Sequence, residues 1–296
     1  MSVHGQAERA TRRLGEGLLT ARTRRMAARI DLAELPPELT QYVSPRARLT
    51  FPTQGRTSDV AFAHAFAHAD MDVRDGRVVV IKRCAHRVYL DWLRREQAAL
   101  RALADSGLPI PRFVAYAEVE TGGQPVGWLL MSRLAGTPFL GAAIEASPAE
   151  REQMFRRLGR LVRSLHATRV PLALTHEVSW ISRQVERARA NLPWCDGTAM
   201  GLAELERSRP VLVQETLIHG DLALDNVLVD ERGELSLIDW ADGGLGDPRH
   251  DVALALHTRP ELELSAEALD AFFAGYGTVA LDEQTRDWFV RLYDFF

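Results

Sequence analysis

Residues 217–251 constrain the fold of this chain more than any other stretch of its sequence. Asn226–Asp230 and Glu234–Asp239 are two apolar-rich segments with strand-like composition, separated by a tight turn. Asp230 and Gly233 suit the first and last positions of a type I turn, where an acidic side chain and a glycine are favoured. The sequence therefore predicts a β-hairpin in this region.

The predicted hairpin would bring polar side chains together at its open end. If it is centred between Arg232 and Gly233, Asn226 and Asp239 lie opposite each other on strands roughly 5 Å apart. Their oxygens are hard ligands, and Mg²⁺ prefers one or two protein oxygens that leave its other positions to water and phosphates. Asp221 precedes the hairpin, close to these ligands without being one of them. That place suits a base that receives or orients a hydroxyl proton.

The order of the motifs adds to this interpretation. A single Asp or Asn on a surface hairpin usually has no chemical role. Here His219-Gly220-Asp221 is followed by Asn226, then by an aspartate that ends an apolar strand, and then by Gly246-Asp247-Pro248. Several short motifs in the right order are stronger evidence than any one of them. The compound pattern therefore predicts a phosphoryl-transfer site.

This segment resembles the aminoglycoside phosphotransferase and choline kinase family, which is related to the protein kinases. Protein kinases carry His-Arg-Asp and Asp-Phe-Gly where this chain has His219-Gly220-Asp221 and Asp239-Trp240-Ala241. These replacements favour a kinase of small molecules. A protein kinase would also want a long activation segment after Asp239, whereas only Trp240–Gly246 precede the next predicted helix.

The resemblance implies a bilobal α+β fold of the protein-kinase type, with ATP and Mg²⁺ as cofactors. Residues 46–132 would form a small antiparallel-sheet lobe that binds the nucleotide, and residues 133–296 a larger helical lobe with the catalytic and substrate-binding groups. Residues 1–45 would be an N-terminal extension, helical or partly disordered. Its interspersed arginines admit nucleic acid or an acidic partner, but a solvated helix or a frayed terminus is the more frequent outcome, so no nucleic acid is expected.

A kinase of this type needs a lysine for the nucleotide phosphates and a glutamate to hold that lysine. Asp75-Gly76 is a turn signal, and Arg77–Arg83 has the pattern of a strand with Lys82 on an apolar face. A charged residue on such a face needs a partner. Glu96 shares a helical stripe with leucines and should point inward. We therefore expect Lys82 and Glu96 to form an ion pair.

A second set of nucleotide contacts is expected upstream of the lysine. Arg48–Phe51 and Val60–Ala65 have the pattern of two strands, and the loop between them is a candidate cover for the phosphates. Its contacts would come from backbone N–H groups near Gly55 and from the hydroxyls of Thr57 and Ser58. The loop lacks the Gly-x-Gly-x-x-Gly pattern of protein kinases, and taken alone it is compatible with an ordinary turn.

Further residues take their expected roles from the resemblance. The main chain of Ser132 and Leu134 would contact the adenine base, although a buried strand that ends in a loop fits these residues equally well. Asp247-Pro248 can start a helix, which places Asp251 in its first turn. In the family that second aspartate braces the catalytic loop, so Asp251, Asp247 and His219 are expected to give structural support.

Composition is typical of a folded protein without membrane spans. The chain has 296 residues, of which 46% are hydrophobic and 26% charged, and a net charge of −4, and its length admits two lobes. No apolar run approaches the roughly 20 residues of a membrane span, and no signal peptide is visible. Cys84 and Cys195 give neither a disulfide framework nor a metal-ligand spacing. We expect a cytoplasmic protein that binds no membrane, and its oligomeric state stays open.

The acceptor is the part of the function that the sequence constrains least. An aminoglycoside is the leading candidate, because the ending Arg291–Phe296 resembles that of certain aminoglycoside kinases. In those enzymes the terminal carboxylate and an acidic residue two places before it hold substrate ammonium groups, which would be Phe296 and Asp294 here. The segment Gly244–Pro248 departs from the pattern of those enzymes, so a sugar, an amino alcohol, homoserine or a macrolide stays open as acceptor. A nucleotide-binding module without catalysis is the competing class, but such modules commonly lose the lysine, the base or a metal ligand.

Overall fold

The computed structural model describes residues 30–44, 46–52, 58–64, 78–193 and 195–296 of the protein. These residues form the bilobal α+β fold that the resemblance implies, in two compact units. Of the described residues, the smaller unit contains those up to 64 together with 78–90 and 115–130, and the larger unit contains those in 91–114 and 131–296. Residues 1–29, most of the predicted N-terminal extension, lie outside the described residues.

The smaller unit is built on a five-stranded sheet with the strand order β1-β2-β3-β5-β4. β2 pairs antiparallel with both β1 and β3, and Val60 lies opposite Lys82. β3 contains a run of β-branched residues, which fit a pleated surface, and its Val79 and Ile81 are buried. The strands are β1 (Arg48–Thr50), β2 (Asp59–His64), β3 (Val78–Cys84), β4 (Phe113–Thr121) and β5 (Gln124–Ser132).

Helix α1 (Arg87–Ala102) follows β3 and has the apolar stripe that the sequence predicts. Leu93 and Leu100 are 2% and 1% exposed, and Glu96 between them is 4% exposed. Residues three and four positions apart share one face of a helix, so the carboxylate lies on the buried face. The predicted inward orientation of Glu96 is therefore confirmed.

The larger unit has more helix than strand. Its helices are α2 (Phe139–Glu145), α3 (Pro148–Ala167), α4 (Trp180–Asn191), α5 (Ala199–Arg207), α6 (Pro248–Ala255), α7 (Ala266–Tyr276) and α8 (Glu283–Tyr293). The backbones of α3 and α7 approach closely at two glycines. A Cβ added to Gly159 would lie 2.1 Å from the main-chain oxygen of Phe272, and one added to Gly275 would lie 2.2 Å from that of Arg156. This packing has no room for a larger residue at either position.

Several helices of the larger unit begin at capping hydrogen bonds, and one of these is the predicted start at Asp247-Pro248. Ser147 and Glu150 form a reciprocal capping box at the start of α3, with proline at the first helical position. Asp247 caps α6, Ser265 caps α7 and Asp282 caps α8, each through its own side-chain oxygen. The cap at Asp247 fixes the first turn of α6, which carries Asp251.

Two small sheets of the larger unit carry the motifs of residues 217–251. Their strands are β6 (Thr137–Pro138), β7 (Thr216–Ile218), β8 (Val227–Val229), β9 (Leu235–Leu237) and β10 (Gly244–Gly246). β7 pairs with β10, and β8 lies between β6 and β9. The β8–β9 pair is the predicted hairpin, with strands shorter than expected.

The hairpin has the predicted turn but not the predicted register. The N–H of Gly233 donates to the carbonyl oxygen of Asp230 at 2.9 Å, as expected for the turn. Gly233 has a φ of 74°. A left-handed glycine at this position is typical of a three-residue hairpin loop, and the predicted centre between Arg232 and Gly233 does not allow such a loop. Ile238 N consequently donates to Asn226 O at 3.0 Å, so Asn226 faces Ile238. The predicted pairing of Asn226 with Asp239 is wrong by one residue.

Among the residues that the structure describes, no helix is both long enough and apolar enough to cross a membrane.

Candidate active site

The loop between β7 and β8 carries the His-Gly-Asp motif and runs beside a second loop. Ile218 lies opposite Gly244 in the β7–β10 ladder, so the segment that follows β9 returns alongside Asp221. Asp239 has a φ of 65°. Aspartate tolerates this left-handed conformation better than most residues. The two loops thus meet where β7 ends.

His219 ties the first loop to the end of β9. Its side chain is fully buried, and its Nε2 donates to the carbonyl oxygen of Ile238 at 2.8 Å. Its Nδ1 accepts the main-chain N–H of Asp221 at 3.3 Å, which requires the tautomer protonated at Nε2. Burial lowers the pKa of His219 despite the nearby acids, so the imidazole is neutral. Its two hydrogen bonds connect the loop to the end of β9.

Asp251 holds the same loop from the other side. Its Oδ2 accepts the main-chain N–H of His219 at 2.7 Å, and its Oδ1 accepts that of Gly220 at 2.9 Å. Nε2 of His166 lies 3.2 Å from Oδ2, while Nδ1 of His166 lies 2.9 Å from the hydroxyl of Tyr276. Burial opposes ionisation of Asp251, but the contact with His166 and the nearby histidines hold its pKa below the ordinary value. A buried carboxylate anion therefore fixes the backbone that leads to Asp221.

Gly220 lets the two loops approach each other. It has a φ of 80°, and an added Cβ would lie 2.2 Å from the main-chain oxygen of Asp242. Its carbonyl oxygen accepts a hydrogen bond from His250 Nε2 at 3.0 Å. The glycine of the His-Gly-Asp motif is thus required both by its backbone conformation and by the lack of space.

The carboxylate of Asp221 is held by two side chains. Asn226 Nδ2 donates to its Oδ2 at 2.9 Å and to its main-chain oxygen at 2.8 Å. The hydroxyl of Tyr293 donates to its Oδ1 at 2.9 Å. Burial, together with the charge of Asp242, raises the pKa of Asp221 to about 7, although both hydrogen bonds oppose the rise. A carboxyl group with such a pKa can accept and return a proton near neutral pH.

Asn226 and Asp239 fit a magnesium ion by their donor chemistry. Because the NH₂ group of Asn226 is committed to Asp221, its oxygen Oδ1 is the atom left to act as a ligand. The charge of Asp239 acts on both His219 and Asp221, which places it beside the same loop. The described residues contain no cluster of three His, Cys, Asp or Glu side chains that could hold a metal alone. One amide oxygen and one carboxylate match an ion that takes its other ligands from water and phosphates.

Asp242 is a further anion of the second loop. Arg187 Nη2 lies 2.8 Å and Arg95 Nη2 3.4 Å from its Oδ1. Burial opposes its ionisation, but these two guanidinium groups hold the pKa of Asp242 below the ordinary value. Arg95 Nε also donates to the carbonyl oxygen of Ala241 at 3.1 Å, which links α1 to the second loop.

The predicted nucleotide-binding residues lie in both units. Lys82 is on β3 of the smaller unit, and Ser58 directly precedes β2. Gly55 and Thr57 lie outside the described residues. In the larger unit, the N–H of Ser132 donates to the carbonyl oxygen of Arg112 at 2.9 Å, so a base contact at Ser132 would have to use its carbonyl oxygen. Leu134 lies two residues beyond the end of β5.

The predicted acceptor-binding residues follow directly after Tyr293. Asp294 is the C-cap of α8, and its main-chain oxygen accepts the N–H of Gly197 at 3.1 Å. Partial desolvation and the charge of Asp196 raise the pKa of Asp294. The ring of Phe296 lies 4.6 Å from the guanidinium of Arg187. Residues 294–296 therefore directly follow a side chain that contacts Asp221.

Several residues of this site had no predicted role, and His250, Asp242 and Tyr293 show why. His250 lies inside the Gly-Asp-Pro-Arg-His-Asp stretch, and a histidine next to a predicted bracing aspartate was a usable signal. Asp242 lies within the segment Trp240–Gly246 without a recognisable motif. Tyr293 is 72 positions from Asp221 and fits the apolar stripe of α8, so nothing local in the sequence distinguishes it from a core residue.

Comparisons with known proteins identify the family and similar folds. The model of the phosphotransferase enzyme family matches residues 61–289. An aminoglycoside 3'-phosphotransferase of Streptomyces fradiae is 27% identical over 226 residues, which cover 70% of this chain and 77% of that protein. One of Niallia circulans is 26% identical over 216 residues, covering 69% and 80%. The gentamicin complex of APH(2'')-IIa has a similar fold, with a TM-score of 0.61 and 15% identity over 85% of this chain and 83% of the other.

Proposed function

The chain belongs to the phosphotransferase enzyme family, and we propose that it transfers the γ-phosphate of ATP to a hydroxyl group of a small molecule, with an aminoglycoside as the leading acceptor. The observation that carries the proposal is the arrangement around Asp221. A carboxylate lies on a fixed loop, next to an asparagine whose amide oxygen is left to bind a metal. Sequence relatives at 27% and 26% identity are aminoglycoside 3'-phosphotransferases, which supports the acceptor class.

The role of Asp221 follows from its pKa and from its contacts. Asp221 would accept the proton of the acceptor hydroxyl while the hydroxyl oxygen forms a bond to the γ-phosphorus. In the same step the bond between the γ-phosphorus and the bridging oxygen breaks, and ADP leaves. A pKa of about 7 leaves a substantial fraction of the group ionised at neutral pH. His219 and Asp251 would keep the loop, and with it the base, in place during the transfer.

Asn226 and Asp239 would hold Mg²⁺ through one amide oxygen and one carboxylate. When bound, the ion neutralises charge on the phosphates. Lys82 would contact the α- and β-phosphates with Glu96 as its ion-pair partner. The smaller unit would add contacts near Gly55, Thr57 and Ser58, and the main chain of Ser132 and Leu134 would bind the base.

Asp294 and Phe296 would contact the acceptor, with the Asp294 carboxylate paired to one of its ammonium groups. Their place next to Tyr293, which contacts Asp221, supports this assignment. Polycations are attracted by compensating anions, and Asp196 adds a second acid beside Asp294. Such an activity would inactivate an antibiotic in the compartment that supplies ATP, in keeping with the predicted cytoplasmic location.

The test is a coupled assay of ADP release over a panel of acceptors. Gentamicin, kanamycin, streptomycin and spectinomycin represent the aminoglycoside group, and a macrolide, choline, homoserine and simple sugars represent the alternatives. Aminoglycoside-dependent ADP release in the wild type and its loss in Asp221→Asn is the expected result. If a compound of another class is turned over and no aminoglycoside is, the assignment of the acceptor is wrong but the assignment as a kinase stands. No acceptor-dependent ADP release with any compound would contradict the proposed function.

A further inference from the structure

The hydroxyl of Tyr293 makes a direct contact with the proposed base. It donates to Oδ1 of Asp221 at 2.9 Å, while Asn226 donates to Oδ2 at 2.9 Å. Both carboxylate oxygens therefore accept a hydrogen bond from a side chain. Rotation of the carboxylate about its last torsion would break both bonds, so the two donors fix the plane of the group.

The backbone at Tyr293 is anchored on both sides. Leu292 and Phe295 are 0% and 2% exposed. Phe295 N donates to Leu292 O at 3.2 Å, and Asn191 Nδ2 donates to the carbonyl oxygen of Phe295 at 2.9 Å. The position of the phenol is therefore set by the packed end of α8. This favours a fixed contact over one that opens and closes with movement of the chain end.

The hydrogen bond from Tyr293 leaves lone pairs on the Asp221 carboxylate that can accept a hydrogen bond from the acceptor hydroxyl. An ionised carboxylate has about four lone-pair sites, and the side chains of Tyr293 and Asn226 occupy two of those on Asp221. A substrate hydroxyl can thus bind one of the remaining sites without displacing the phenol. Tyr293 then acts on the orientation of the base and not on access to it.

We propose that Tyr293 is a positioning residue that holds the carboxylate of Asp221 in the orientation in which it receives the proton of the acceptor hydroxyl. The inference rests on the proposed function and deepens it. Misplacement of a reacting group by a fraction of an ångström lowers the rate of the chemical step. Because Tyr293 precedes the predicted acceptor-binding residues Asp294 and Phe296, one segment of the chain would bind the acceptor and orient the base.

The experiment compares Tyr293→Phe, Asp221→Ala and the double variant. The acceptor is the best substrate found in the ADP-release panel. Loss of a hydrogen bond to a charged group predicts that Tyr293→Phe lowers kcat by about 10- to 100-fold, while KM for ATP and for the acceptor changes by less than about twofold. In the Asp221→Ala background the same substitution should have no further effect, since its target is gone.

Tyr116→Phe is the matched control. The hydroxyl of Tyr116 also donates to a carboxylate, that of Glu118, but on β4 of the smaller unit. The Tyr116→Phe variant should have the kcat and KM of the wild type. Thermal unfolding of the four members of the Tyr293–Asp221 cycle gives a readout that needs no acceptor, because a direct contact makes the two shifts in Tm non-additive.

The outcomes separate this inference from the proposed function. Equal effects of Tyr293→Phe with and without Asp221 would overturn the positioning role. So would a rise in kcat/KM in Tyr293→Phe, because it would mean that the phenol obstructs the acceptor. If no compound of the panel is turned over, the proposed function fails. The Tm cycle then still decides whether Tyr293 holds Asp221, and additive shifts would overturn that contact.

Discussion

The side-chain amide of Asn226 donates one hydrogen bond to the main-chain oxygen of Asp221 and a second to its carboxylate, at 2.8 and 2.9 Å. Both bonds use the NH₂ end of the amide, so they fix which end faces the base and which end is left for a metal. The five-residue spacing between the two residues allows this, because a 3₁₀ turn over Leu224–Asn226 folds the chain back. The predicted base and a predicted metal ligand are thus coupled through one side chain.

The first prediction concerns Asp221. Replacement by asparagine removes the proton acceptor but keeps the shape of the side chain, so kcat should fall by roughly 10²-fold or more, on the scale of general-base contributions. ATP binding, measured by calorimetry, should be nearly unchanged. Asp225→Asn is a suitable control, since Asp225 pairs with Arg259 at 3.3 Å and has no predicted catalytic role. Wild-type turnover by Asp221→Asn would contradict the role of Asp221 as the catalytic base.

A second prediction concerns the metal ligands. Asn226→Ala and Asp239→Ala should each raise the Mg²⁺ concentration needed for half-maximal activity, because each removes one of two protein oxygens. Titration of ADP release with Mg²⁺ measures the change, and the metal-free affinity for ATP serves as the internal reference. Unchanged Mg²⁺ dependence in both variants would contradict the proposed site.

The hairpin illustrates what local sequence can predict. Asp230 and Gly233 specified the turn, and the apolar segments specified its two strands. The register depended on whether the loop has two or three residues, which the left-handed Gly233 decided. The prediction that Asn226 and Asp239 share one end of the hairpin survives this change, because they still flank the same end of the ladder.

Long-range contacts set the limit of the prediction. Asp251 could be recognised because Asp247-Pro248 starts its helix and places it in the first turn. Asp242 and Tyr293 could not, since their contacts with Arg187 and Asp221 depend on the packing of α4 and α8. A helical stripe identifies a buried face, but it does not say which residue at its end reaches a catalytic group.

The third prediction concerns the lysine and glutamate expected at the phosphates. Lys82→Met should weaken ATP binding by roughly 10- to 100-fold, the scale of a lost charge-assisted hydrogen bond. Glu96→Gln should weaken it less, and the effects of the two changes should not add if the residues form an ion pair. Arg83→Met is the neighbouring control, because Arg83 pairs with Glu34 and Asp59. A nucleotide-bound structure in which the side chains of Lys82 and Glu96 are more than about 6 Å apart would contradict the ion pair.

A fourth prediction links stability to pH through Asp251. Its pKa is lowered in the folded protein, so its contribution to stability is present above the unfolded value of about 3.9 and is lost as the pH falls through the folded value. Asp251→Asn turns an amide donor toward the N–H groups of the loop and should cost about 3 kcal/mol at pH 7. Urea unfolding at several pH values should show this difference shrinking below about pH 4. Asp287→Asn, at an exposed position, should match the wild type throughout.

The last prediction separates strain from crowding in the His-Gly-Asp motif. Gly220 and Gly107 have similar φ values of 80° and 73°, but a Cβ at Gly107 meets nothing within 4 Å, whereas one at Gly220 would lie 2.2 Å from Asp242 O. Alanine should cost about 1 to 2 kcal/mol at either position for the left-handed backbone, and a further 1 to 3 kcal/mol or so at Gly220 for overpacking. Since a shift at Gly220 also disturbs its hydrogen bonds with Asp251 and His250, kcat should fall roughly 10-fold or more in Gly220→Ala alone. Equal unfolding free energies and equal kcat values for the two variants would show that the close approach of the loops does not position the base.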